Sequence, residues 1–195
     1  MANTCFTTYA VTGPREALTR LQGDLKATSD PEGGWHGNRP WIGNFLQAIG
    51  HDPDKELDNY GTLDRGCIRF RDGEDVLEFI IESSWSRCEC LDTIIAEHYG
   101  VQVWFLEEEF SEDVFNTNDS ERRYFPEFIA IDVMEDDGEL EYHDEPGARK
   151  RLRELFSSDD DFRDIDFDKA PLDILVDAVY QSDRDISMHV ATTID

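Results

Sequence analysis

The sequence has little cysteine, little lysine and no long apolar run, and each shortage removes a class of protein. Its four cysteines among 195 residues, Cys5, Cys67, Cys88 and Cys90, are too few and too scattered for a disulfide scaffold. The one close pair is separated by a single residue rather than the roughly two to four of structural zinc sites, so reduced thiols are expected. No stretch reaches about 18 consecutive apolar residues, which excludes a transmembrane helix. Met1 to Phe6 shows no basic region leading into an apolar core, so no signal peptide is read and a cytoplasmic protein is expected. Only 18 residues are Lys or Arg. Binding a phosphate backbone calls for a basic patch that releases counterions, and the acidic balance argues against it, so direct nucleic-acid binding is not expected.

The usual signatures of chemistry are missing as well. The five histidines, His36, His51, His98, His143 and His189, lie far apart, without a His-x-x-x-His or Cys-x-x-Cys pattern. No Ser sits in a Gly-x-Ser-x-Gly elbow, and Gly33 to Gly37 lacks the Lys and the preceding strand of a phosphate loop. Asp159 to Asp168 is rich in oxygen ligands but lacks the turn Gly and terminal Glu of a calcium loop. The sequence therefore assigns no catalytic residue, no cofactor and no metal ligand.

What is abundant is acid: 45 Asp and Glu against 18 Lys and Arg, for a net charge of −27. With 39% hydrophobic and 11% aromatic residues the chain still has enough apolar surface to fold. Residues 1–106 carry 9 basic and 17 acidic side chains, net −8, and residues 107–185 carry 9 and 27, net −18. The acids cluster in Glu107-Glu108-Glu109, Glu135 to Asp137, Asp159-Asp160-Asp161 and the alternating Asp164, Asp166 and Asp168. Such a surface keeps a protein soluble and attracts basic partners.

Periodicity predicts an α+β fold. Cys5 to Val11 reads as a strand, and Ala17, Leu18, Leu21 and Leu25 share one face of a helix capped by Thr12 or Gly13, with Pro14 in its first turn. Asp30 to Pro40 reads as a loop, and Trp41 to Ile49 as a short helix stopped by Gly50. Gly66 to Arg71, the turn Asp72-Gly73 and Val76 to Glu82 read as a hairpin. A helix with Ser86 and Glu89 as capping box and Gly100 at its end follows, then the strand Val101 to Leu106. This is the βαββαβ order of a ferredoxin-like core, placed at 1–110 with an insertion at about 30–62. Residues 111–195 are expected to form an acidic extension packed on the same sheet, which a second hairpin (Tyr124 to His143) enlarges, with helices at Pro146 to Phe156 and Pro171 to Tyr180 and a final edge strand, Ile186 to Ile194.

Four short motifs carry a family likeness. Met1-Ala2-Asn3-Thr4-Cys5, Tyr60-Gly61-Thr62, Ser84-Trp85-Ser86, and Tyr99-Gly100 running through a strand into Glu107-Glu108-Glu109 resemble segments of the YubB-like family of bacteria, plasmids and phages. Leu63-Asp64 stands where that family often has Lys-Trp. The resemblance spans roughly residues 1–120 and implies a ferredoxin-like fold; it implies no reaction, cofactor or catalytic residue.

The expected function is a non-enzymatic, acidic protein-interaction module for a basic or nucleic-acid-binding protein, in its sharper form a mimic of DNA phosphates. The alternative is a ligand binder or enzyme with a pocket between sheet and insertion. The candidate surface is Trp35, Trp41 and Tyr60 with Glu107, Glu108, Glu109, Asp159, Asp160 and Asp161. Trp85 and Trp104 are assigned to the core. On the capping-box helix Cys90 faces inward and Cys88 lies roughly 200° away, exposed.

Overall fold

The computed structural model describes residues 3–29, 40–63, 65–112, 114–134, 139–157, 162–163 and 165–194. The chain divides into two units, Met1–Asp119 with Ile194–Asp195, and Ser120–Thr193. Each has its own apolar cluster. The class is α+β, and among the described residues no helix is long and apolar enough to cross a membrane.

In the first unit β1 (Thr4–Thr12) leads into α1 (Arg15–Thr28), with Pro14 rather than Thr12 or Gly13 at the N-cap. Then come α2 (Ile42–Ala48), α3 (Pro53–Glu56), β2 (Gly61–Leu63), β3 (Arg69–Phe70), β4 (Val76–Ser84), α4 (Cys90–Tyr99), β5 (Gln102–Glu109) and β6 (Val114–Thr117). The strands lie antiparallel in the order β6-β5-β1-β4-β2, with β3 also on β4. Alternation sends Tyr9 and Val11 of β1, Leu77, Phe79 and Ile81 of β4 and Phe105 of β5 into one core with Leu18, Leu21 and Leu25 of α1 and Leu91 and Ile95 of α4. Gly100 ends α4 in the left-handed conformation, φ 67° and ψ 45°, as its sequence position predicts.

Two expectations fail here for local reasons. The first arm of the hairpin shrinks to β3, because Arg65–Cys67 turns as a 3-10 helix; Gly61–Leu63, expected in the insertion, pairs with the far half of β4. Ser86 does not cap α4, which starts four residues later with Glu89 as N-cap and no side-chain cap bond.

The second unit runs β7 (Ile129–Val133), β8 (Glu139–His143), α5 (Glu145–Phe156), α6 (Leu172–Gln181) and β9 (Ile186–Val190). Asp144 caps α5 by accepting from Gly147 N at 2.8 Å. The predicted hairpin forms, but it does not extend the first sheet. β7 sits between β8 and β9 in a separate antiparallel sheet of three strands, with β9 at an edge. The side of β5 away from β1 is already paired with β6, so a hairpin has no place there. Ile129 and Ile131 pack with Leu152 and Phe156 of α5 and Leu175 and Val179 of α6.

Candidate functional site

The structure redistributes the expected surface. Trp35, Asp159, Asp160 and Asp161 lie outside the described residues, as do residues 30–39 of the insertion invoked for a pocket. Glu107 and Glu109, expected on a solvated acidic face, are each 5% exposed. They share with Phe105 the strand face turned to the core, and only Glu108 points the other way. Trp41 is buried, its ring parallel to that of Tyr60 at 6.2 Å, and Tyr60 is exposed. Trp85, assigned to the core, is 52% exposed. Cys88 is buried and Cys90 only half-buried, the reverse of the expectation. Cys88 precedes α4, so a helical wheel does not describe it.

A different grouping emerges from the strand register. Trp41 stands opposite Thr62, Thr62 opposite Glu82, Glu82 opposite Phe6, Phe6 opposite Glu108, and Glu108 opposite Phe115. Residues directly opposed in a ladder share a sheet face. This row therefore crosses the face turned away from Tyr9, Val11 and Phe79. At its centre Phe6 is 46% exposed, between exposed Glu82 and half-buried Glu108. The alternation of Cys5 and Phe6 about β1 was readable from the sequence. The register that brings Glu82 and Glu108 to either side of the ring was not.

Beneath the row, on the core side, a polar cluster fixes this end of the sheet. Glu107 accepts from Arg87 N at 2.9 Å, from Cys5 Sγ at 3.7 Å and from Asn116 Nδ2 at 3.4 Å. The Arg87 guanidinium lies 3.9 Å from Glu107 and 3.2 Å from Asp92 and stacks 4.1 Å from the Phe105 ring centre. Segments quoted as separate motifs meet here. Asn59 Nδ2 donates to Ser84 O and, at 2.6 Å, to Ser86 O; Ser84 N donates to Tyr60 O, and Trp85 N to Asn3 O at 2.9 Å. Trp85 holds φ 70° in a tight turn closed by Ser86 N on Ser84 O. Such a backbone is strained for a bulky residue and persists only where its surroundings dictate it.

The thiols near this cluster are held in their protonated form. Burial, then the charge of Glu107, pushes the Cys5 thiol up to about 11. Burial, then the charge of Asp58, pushes Cys88 up to about 12 and Cys90 up to about 11. These thiols stay protonated at neutral pH and are poor nucleophiles. Among the described residues no three His, Cys, Asp or Glu side chains are grouped to hold a metal ion. What the row offers is an aromatic face flanked by carboxylates, which attracts cations. No family model, curated protein or solved structure matches the chain.

Proposed function

We propose that this chain is a non-enzymatic protein-interaction module that takes a basic segment of a partner protein at the exposed centre of the Phe6 row on its first sheet. The carrying observation is the row in which Phe6, 46% exposed, stands between Glu82 and Glu108. An exposed ring supplies the apolar anchor, the flanking carboxylates supply charge, and the net charge of −27 steers basic chains toward the surface. The protonated thiols and the internally satisfied Glu107 agree with a binding role. In the sharper form of this reading the partner is a DNA-binding protein whose phosphate contacts the carboxylates occupy, and duplex DNA then competes for it.

The antiparallel order β5-β1-β4-β2, with α1 and α4 between the strands they connect, supports a ferredoxin-like class for the first unit. The meeting of the Asn3, Tyr60 and Ser84 to Ser86 segments at one end of the sheet supports the YubB-like affiliation.

Titration of the full chain with a short Gly/Ser peptide carrying both Arg and Lys, at low ionic strength, tests the binding reading. Saturable binding is expected, weakened by salt and reduced about tenfold or more by Phe6→Ala. Binding indifferent to Phe6→Ala and Glu82→Gln, or no binding, overturns it.

A further inference from the structure

We infer that the Phe6 row is specific for arginine: one partner guanidinium stacks on the Phe6 ring and hydrogen-bonds to Glu82 and Glu108 on its two edges. The inference rests on the binding reading above and narrows its ligand. Three observations support it.

The first is spacing. Neighbouring strands lie about 4.8 Å apart, so the backbones of Glu82 on β4 and Glu108 on β5 stand about 10 Å apart across β1. A planar guanidinium with one charge-assisted bond of about 2.8 Å on each edge spans about 8 Å, close to that backbone separation; at Glu108 the bond falls to Oε2, because Oε1 is buried. An ammonium is a compact point charge; to serve both carboxylates it must draw them closer together over the ring, against their mutual repulsion.

The second is that the chain already builds this arrangement twice for itself. Arg15 lies 3.6 Å from the Phe70 ring centre and 2.9 Å from Asp75. Arg87 lies 4.1 Å from the Phe105 ring centre and 3.2 Å from Asp92, with Glu107 beside it. Both combine a Phe face, a carboxylate and a guanidinium. The Phe6 row holds the first two parts.

The third is that Glu82 makes no ion pair with any described residue, although Arg69 and Arg71 both pair with Glu78 on the same strand. A charge-assisted bond to Glu82 therefore competes with no cation among the described residues.

The test uses three Gly/Ser peptides identical except for Arg, Lys or citrulline at the same positions, titrated into the full chain while backbone amide shifts of β1, β4 and β5 are followed. The Arg peptide is expected to bind about three- to tenfold tighter than the Lys peptide, and citrulline, planar but uncharged, to bind weakest. Phe6→Leu keeps an apolar side chain at a half-exposed position and should level Arg with Lys; Glu82→Gln should weaken both. Lys binding as tightly as Arg, or citrulline matching Arg, overturns the arginine assignment and leaves the basic-segment reading standing. Failure of both charged peptides to shift these strands overturns the two together.

Discussion

Strand β5 of the first unit and helix α5 of the second treat their carboxylates differently. The first draws them in: Glu107 and Glu109 are buried, and Arg87, 9% exposed, is held against Glu107 and Asp92. The second keeps its pairs nearer the surface, where Arg149, itself 14% exposed, meets Glu145 at 2.6 Å, Arg151 meets Glu141 at 2.6 Å and the exposed Lys150 meets Glu154 at 3.8 Å. On α6, Asp173 and Asp177 stand one turn apart and make no ion pair with a described residue. A run of acids is thus silent about its own exposure. In a strand, parity decides which members are buried; on a helix, distance from the core stripe does.

The contrast can be broken most directly by removing one buried and one outlying carboxylate. Glu107→Ala leaves Arg87 partly uncompensated and Arg87 N without its acceptor, and should cost about 3–5 kcal/mol. Glu141→Ala, at a partly exposed pair, should cost about 1 kcal/mol. Denaturant midpoints measure both, and equal losses would erase the distinction.

A pH series sharpens it. All four cysteines lie in the first unit, and burial lifts Cys5 and Cys88 from the ordinary 9.0 to about 11 and about 12. The folded thiols hold their protons to higher pH than the unfolded ones. Their contribution is therefore whole below pH about 9 and lost as pH rises through about 11 to 12. In the second unit, hydrogen bonds from Arg151 and then His143 hold Glu141 below its ordinary 4.5. That contribution is present above 4.5 and lost as pH falls through the lowered value. Amide exchange should show the first unit loosening first in alkali, and Cys88→Ala should blunt that loss; Glu141→Gln should blunt the second unit's loss in acid. The smallest effect is Asp177→Lys, which converts a like-charge pair into an i,i+4 ion pair and should add about 0.3–0.5 kcal/mol, visible as a small rise in Tm.

Much of the fold was legible because it depends on local periodicity. β1, α1, α4, β5, the second hairpin, α5 and α6 all follow runs whose apolar spacing repeats at two or at 3.6 residues. The failures are long-range or conformational. Cys88 was misplaced because a helical pattern was carried back into a turn, and Trp85 because that turn's shape depends on Asn59, Tyr60 and Asn3, distant in sequence. The separate second sheet followed from β6 occupying the place beside β5, and Val114–Thr117 is too short to announce itself. Of the candidate surface, Tyr60 stayed exposed and Trp41 and Glu108 fell in the Phe6 row. Phe6 and Glu82 themselves escaped notice because register is a property of pairs of strands.

The central position of β1 has a consequence for synthesis. Its partners are Val76–Ser84 on one side and Gln102–Glu108 on the other, so Thr4–Thr12 is made well before either of them. Until Glu108 has left the ribosome, one edge of this apolar segment lacks its strand, whereas β7 can pair as soon as Glu139–His143 is made. Vectorial translation therefore reverses the order of security in the finished protein: the strand that ends most enclosed is the one longest in need of a chaperone.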